Sequence, residues 1–178
     1  SLTVRVNLLD GNDKLYGDES RDSLIGGGGN DELHGGGDGD VLIGDGATLI
    51  FNSPMTADHL SIGNIIETNR DLNGGNDTLY GDGGSDWIFG GRGDDIIWGG
   101  AGDDILFGES GTDGISGDAG NDLIYGDSGR PTDTTHNPGK YDLYDQYGRL
   151  DLNHEMKPAG DGEADIMQGG VGDDIIFG

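Results

Sequence analysis

One aspartate recurs every nine residues in this chain, in three uninterrupted runs. Glycine stands two residues before nine of these twelve aspartates and five residues before ten of them, and a large aliphatic residue or methionine follows two residues after each. The set is Asp13, Asp22, Asp31, Asp40, Asp77, Asp86, Asp95, Asp104, Asp113, Asp122, Asp165 and Asp174. A strict short period predicts a repeat architecture in which every unit adds the same turn and the same short strand.

The repeating unit reads G-G-x-G-x-D-x-U-x, where U is a large apolar residue, and it is clearest at residues 26–34 and 99–107. Glycine tolerates positive φ and close backbone approach, so the first six positions predict a tight turn. Calcium takes about six to eight oxygen ligands, which a carboxylate and inward-facing carbonyls can supply. Side chains alternate along a strand, so we expect all the U residues to face one interior.

Through this nonapeptide the chain resembles the RTX calcium-binding β-roll family, over twelve repeats of nine residues, or 108 of its 178 residues. The resemblance implies an all-β fold, a right-handed parallel β-roll of about six coils with two loop insertions on one edge. One coil of such a roll is two repeats, so alternate turns lie on opposite edges and alternate strands share a sheet. We number the turns along the chain and name the two edges odd and even after them.

The predicted organisation is a lead-in over residues 1–7 and a single roll over residues 8–178. Its parts are repeats at 8–43, 72–125 and 160–177 and insertions at 46–71 and 130–159. The first residue is not methionine and the last would open another repeat, so we interpret the chain as a segment of a longer protein.

The resemblance also implies the metal ligands. Each calcium ion is expected between two successive turns of one edge, held by the repeat aspartates and by backbone carbonyls, with about seven to ten ions in all. The predicted carbonyl ligands belong to the third glycine of the unit: Gly29, Gly84, Gly93, Gly102, Gly111, Gly120 and Gly172. Weaker or distorted sites are expected where other residues replace glycine, at Leu8, Leu9, Ser20, Asp38, Leu72, Asn73 and Glu163.

The charge of the chain limits the classes of partner that it can bind. Acidic residues outnumber basic ones 35 to 9, the net charge is −26, and 29 of the acids are aspartate. Aspartate suits turns and calcium ligation, whereas disordered acidic tails are rich in glutamate. No basic stripe is present that could bind nucleic acid. The sequence has no cysteine, no apolar run that could span a membrane and no signal-peptide core.

By resemblance, the chain is a calcium-binding module of a large secreted protein that leaves a Gram-negative bacterium unfolded through a type I channel and folds outside. The free-energy cost of ordering the glycine-rich turns exceeds the free energy gained by burying one apolar side chain per repeat. Calcium binding is therefore expected to drive folding. The expected partners are calcium and neighbouring domains of the parent. No enzyme is predicted: H-E-x-x-H is absent, and the protease-like G-D-S-G at 126–129 opens a repeat turn.

The two insertions interrupt the fifth and eleventh turns, so both are expected on the odd edge, three coils or roughly 14 Å apart. We predict that they touch and build one shared surface, with hairpins at 48–66 and 141–152. An alternative function is an adhesin or interaction module that binds a partner through this surface or through the apolar even sheet. The insertions are equally compatible with tolerated surface loops.

The outward strand positions of the two sheets differ. They are apolar at eleven of twelve positions in the even sheet and at five of twelve in the odd sheet. A large open apolar patch is unusual on a soluble monomer, so we expect a cover over the even sheet. An insertion, a neighbouring domain or a second copy of the chain could supply it. Strands that are simply apolar outside are the alternative.

Overall fold

The computed structural model describes residues 2–5, 11–51, 65–68, 74–127, 129–131, 156–158 and 164–178, with side chains at 11–46, 74–126 and 164–178. The strands in these residues are β1 (Leu2–Arg5), β2 (Lys14–Tyr16), β3 (Ser23–Gly27), β4 (Glu32–Gly37), β5 (Val41–Asp45), β6 (Ala47–Phe51), β7 (Ile65–Thr68), β8 (Thr78–Gly83), β9 (Trp87–Arg92), β10 (Ile96–Ala101), β11 (Ile105–Ser110), β12 (Gly114–Ala119), β13 (Leu123–Asp127), β14 (Gly129–Pro131), β15 (Met156–Pro158), β16 (Ile166–Val171) and β17 (Ile175–Phe177). In this part of the chain, no helix has the length and apolar character needed to cross a membrane.

Two parallel sheets of six strands form the roll. The odd sheet has the order β2-β4-β8-β10-β12-β16, and the even sheet has the order β3-β5-β9-β11-β13-β17. Equivalent repeat positions are paired, as Leu33 is with Leu79 and Leu106 is with Ile124. The predicted parallel β-roll, with alternate strands in alternate sheets, is therefore confirmed.

The U residues of the repeat form the core between the sheets. Eight of them make one buried cluster: Leu33, Leu42, Leu79, Ile88, Ile97, Leu106, Ile115 and Ile124. Leu15, Leu24 and Met167 pack against the cluster with partial exposure. Ile176 departs from the expectation and is 42% exposed, because it lies on β17, the outermost strand of the even sheet. The repeat thus places one apolar side chain per strand in a continuous interior.

The outer faces of the two sheets differ in burial as well as in composition. Several outward residues of the even sheet are buried, with Ile43, Phe89 and Phe107 at 0% exposure, whereas Ile175 and Phe177 on its outermost strand are exposed. On the odd sheet Tyr16 is 58% and Ile166 is 69% exposed. These exposures refer to one chain, so no second copy is needed to bury those three residues, and what covers the even face stays a prediction. The exposed odd face carries a stack of rings: Tyr16, His34, Tyr80 and Trp98, with centroids 4.5 to 5.0 Å apart.

The first insertion contains the predicted hairpin, since β6 and β7 pair in antiparallel fashion. Strand β1 also pairs with β6, so part of the predicted lead-in joins the insertion in a three-stranded sheet. In the second insertion β14 pairs with β15. The hairpin predicted at 141–152 and the contact predicted between the insertions lie outside the described residues.

Candidate metal centres

From the second turn onward, the uninterrupted turns adopt one backbone conformation. Their second and fourth positions have positive φ, as at Gly91 (115°) and Gly93 (115°). Non-glycine residues at these positions take the same region, including Ser20 at 84° and Asp38 at 68°. Positive φ is uncommon for residues with a Cβ. The contacts of neighbouring coils therefore keep Ser20 and Asp38 in the turn conformation despite the missing glycine.

The repeat aspartates form a ladder along each edge. The backbone N–H of one aspartate donates to Oδ1 of the aspartate one coil further on, over 2.7 to 3.0 Å. Ten such bonds join all twelve aspartates, five on the odd edge and five on the even edge. The two interrupted turns take part, since Asp31 donates to Asp77 and Asp113 donates to Asp165.

The second carboxylate oxygen of these aspartates, Oδ2, takes no part in the ladder. Within the described residues, Oδ2 is buried and without a hydrogen-bond partner in Asp22, Asp31, Asp40, Asp77, Asp86, Asp95, Asp104 and Asp122. A buried polar atom without a partner is costly, and a row of them indicates a missing ligand. The turn spacing predicted these residues, and the structure brings them together along the two edges.

Each Oδ2 lies beside the first glycine of its own turn. A Cβ on Gly26 would clash with Oδ2 of Asp31 and with the carbonyl oxygen of Gly44, the first glycine one coil further on. The same pair of oxygens recurs along both edges, with carbonyls from Gly35, Gly44, Gly81, Gly90, Gly99, Gly108, Gly117, Gly126 and Gly169. Sequence reasoning missed these carbonyls, although the regular first glycine was a signal for them. Hard oxygens in this arrangement suit calcium.

Backbone oxygens must supply most ligands of any such ion. Among the described residues, no three histidine, aspartate or glutamate side chains form a cluster that could hold a metal. The predicted third glycines stack along each edge: the N–H of Gly102 donates to the carbonyl of Ala119 (2.8 Å), and a Cβ on Gly102 would clash with the carbonyl of Gly84. A calcium ion at any of these turns would therefore be held by carboxylates from the ladder and by carbonyls of the turns.

The interrupted turns keep the ligand geometry. In the fifth turn Gly44 lies against Oδ2 of Asp77, and in the eleventh turn Gly126 lies against Oδ2 of Asp165. Gly44 therefore takes the first-glycine place opposite Asp77 that the sequence reading assigned to Leu72, which is outside the described residues. The three odd-edge gaps that depended on these turns have the same ladder as the others, and the number of ions stays a prediction.

Burial makes the metal-free carboxylates hard to ionise. It raises the pKa of Asp77 and of Asp86 to about 7, and that of Asp104 to about 8. The pKa of Asp95, in a central coil, rises to about 9, because burial and the charges of Asp77, Asp113 and Asp45 outweigh the hydrogen bond from the Asp77 backbone. The terminal coils differ, since Asp13 is exposed and Asp174 is only half-buried. A divalent cation would neutralise the central charges.

Comparison with known proteins agrees with this chemistry. A family model described as the RTX calcium-binding nonapeptide repeat matches residues 9–42, 71–106, 80–115, 98–132 and 159–178. These matches span more than half of the chain and contain all twelve repeat aspartates. No curated protein matches the chain.

Proposed function

This chain belongs to the RTX calcium-binding nonapeptide-repeat family, and we propose that its β-roll folds when it binds calcium, as a module of a larger secreted protein. In the extracellular parent it would assist folding and secretion or serve as a structural segment. Any catalytic activity would then lie in other parts of the parent.

The row of buried, unpartnered Oδ2 atoms is the observation that carries this proposal. In the folded roll without metal, each of these carboxyls must either take up a proton or stay ionised in a dry turn. The unfolded chain has neither cost, because its carboxylates are hydrated. Calcium binds only the arrangement that the fold creates, so its binding free energy contributes directly to folding.

A calcium titration followed by far-UV circular dichroism tests the proposal. A cooperative gain of β signal is expected as calcium rises, with reversal by a chelator. Magnesium at the same concentration should fail, because it keeps its waters and demands a small octahedral site that long carbonyl-lined turns do not offer. A chain that is equally folded in chelator and in calcium would refute the calcium trigger.

One observation favours a second role, binding of a partner through the insertions. Strands β1, β6 and β7 form a sheet of their own, which a merely tolerated loop would not need. The splice point is clear, since Gly44 and Asp45 open the fifth turn and Gly74 resumes it. Deleting residues 46–73 joins these arms into a six-residue turn, and the roll should still fold in calcium. Loss of binding to a parent domain or surface partner would support the second role, and unchanged binding would count against it.

A further inference from the structure

The second position of the turn carries an acid in several repeats, and the two edges treat it differently. On the even edge Asp82 and Asp118 occupy this position and are exposed. On the odd edge Asp45 and Glu109 occupy it and are buried, at 3% and 1% exposure. Repeat chemistry does not require this burial, since the predicted ligands are the sixth-position aspartates. The buried odd-edge acids therefore call for an explanation of their own.

Asp45 has one satisfied and one unsatisfied carboxylate oxygen. Its Oδ2 accepts the backbone N–H of Arg92 over 2.7 Å, and the backbone of Gly75 donates to the same carboxylate. Its Oδ1 is buried and has no hydrogen-bond partner in the described part of the chain. The side chain of Arg92 is exposed, so only its backbone serves Asp45. Asp45 thus keeps a dry acceptor with no partner among the described groups.

The side chain of Asp45 lies in the same row of the odd edge as Glu109. The side chain of Asp45 lies over Gly91 of the next coil, because a Cβ on Gly91 would clash with Cβ, Cγ and Oδ2 of Asp45. Gly91 is in turn the register partner of Glu109. Glycine at 91 therefore leaves room for the side chain of Asp45, and Asp127 follows Glu109 in the same row as its backbone partner.

The electrostatics agree with this placement. The charges of Glu109 and Asp31 repel that of Asp45, while the backbone N–H groups of Arg92 and Gly75 stabilise it by hydrogen bonds. A buried carboxylate oxygen without a partner, such as Oδ1 of Asp45, is stabilised by a positive charge beside it. Carboxylate oxygens are the donors that calcium prefers.

We propose that Asp45 and Glu109 hold an additional calcium ion, separate from those of the sixth-position ladder, at the base of the first insertion. Asp45 also contacts both arms of the interrupted turn, its own arm and the Gly74–Gly75 arm. An ion on this carboxylate would fasten the insertion to the roll. The inference rests on the proposed function, because it assumes a chain that folds and binds calcium.

Ion counting by native mass spectrometry and calorimetry of the full chain tests this site. Asp45→Asn should bind one calcium ion fewer than the natural chain, because the amide keeps an acceptor oxygen for Arg92 but loses the charge. Asp82→Asn is the matched control, with the same turn position on the even edge, and its ion count should not change. An unchanged count and affinity in Asp45→Asn would overturn the site.

A crystal structure of the natural chain grown with calcium, or with terbium as a luminescent and anomalous substitute, needs no variant to fold. An ion within about 2.3–2.6 Å of Asp45 Oδ1 is expected. Ions at the repeat turns but none at Asp45 would reject this inference alone. A chain that binds no calcium at any turn would reject the proposed function as well, so the two failures can be told apart.

Discussion

Acid should partly replace calcium in stabilising the roll. The folded, metal-free chain holds the pKa of Asp95 at about 9 and that of Asp104 at about 8, against an ordinary value of 3.8 in the unfolded chain. The folded state therefore binds more protons than the unfolded state at every pH between these values. Because the folded pKa values are raised, the stability is fully present below about pH 4, falls steadily as pH rises above that value, and is lost once pH has risen through the folded pKa values of about 8 and 9.

The magnitude follows from linkage, at about 1.4 kcal/mol for each pKa unit. Between pH 8 and pH 5, protonation of Asp95 should stabilise the folded state by about 4 kcal/mol, and protonation of Asp77 or Asp86 by about 3 kcal/mol each. Any one of these is large beside the total stability of a typical domain, about 5–15 kcal/mol.

Urea unfolding of the calcium-depleted chain at pH 5 and at pH 8, followed by far-UV circular dichroism, measures the effect. More β signal and a higher urea midpoint are expected at pH 5. The double variant Asp95→Asn/Asp104→Asn should show a weaker pH dependence, because two of the titrating groups are gone. Asp94→Asn/Asp103→Asn replaces the exposed neighbours and should behave like the natural chain. A calcium-depleted chain that is more stable at pH 8 would refute the reasoning.

Three further predictions concern single residues of the roll. Asp104→Asn should raise the calcium concentration needed for folding and lower the number of bound ions, whereas Asp103→Asn, at an exposed neighbour, should do neither. Equal calcium titrations of the two variants would contradict the role of the ladder. Gly102→Ala should lower the free energy of unfolding in calcium by about 1–3 kcal/mol or more, because φ is 138° and the new Cβ would clash with Gly84. Gly83→Ala is the control and should be tolerated, because the nearest atom to its new Cβ lies 3.7 Å away. Leu106→Ala should lower the free energy of unfolding, measured with urea in calcium, by about 2–5 kcal/mol, and Ile96→Ala on the exposed odd face should lower it by less than about 1 kcal/mol. Similar losses in the two variants would mean that the core is not where the repeat places it.

Much of the roll could be predicted from the sequence, because each repeat meets a chemically equivalent neighbour. Once one turn stacks on the next, Asp86 and Asp104 must meet the same groups, and so must Ile88 and Leu106. The nine-residue phase therefore predicted the two sheets, the inward side chains and the aspartate rows. It also located both interruptions on one edge, where Gly44 and Gly126 hold the places of first glycines.

The period could not predict contacts between segments that do not repeat. The pairing of β1 with β6 joins the first residues to an insertion more than forty residues away, and no repeat phase relates them. The apolar character of Phe89 and Phe107 could be read from the sequence, but only the fold shows that both are fully buried within one chain. A local sequence pattern does not predict such long-range pairings.

The sequence by itself determined the part of this protein that depends on neighbouring coils: turn conformation, strand alternation, core side chains and the sixth-position carboxylates. The tertiary structure alone decided which residues at the same repeat position have the same burial and surroundings. Asp45 and Asp82 occupy the same place in the repeat, yet one is buried and the other is exposed. The reason is physical: burial and the charge it encloses depend on everything packed around an edge, whereas a repeat specifies only what stacks directly above and below.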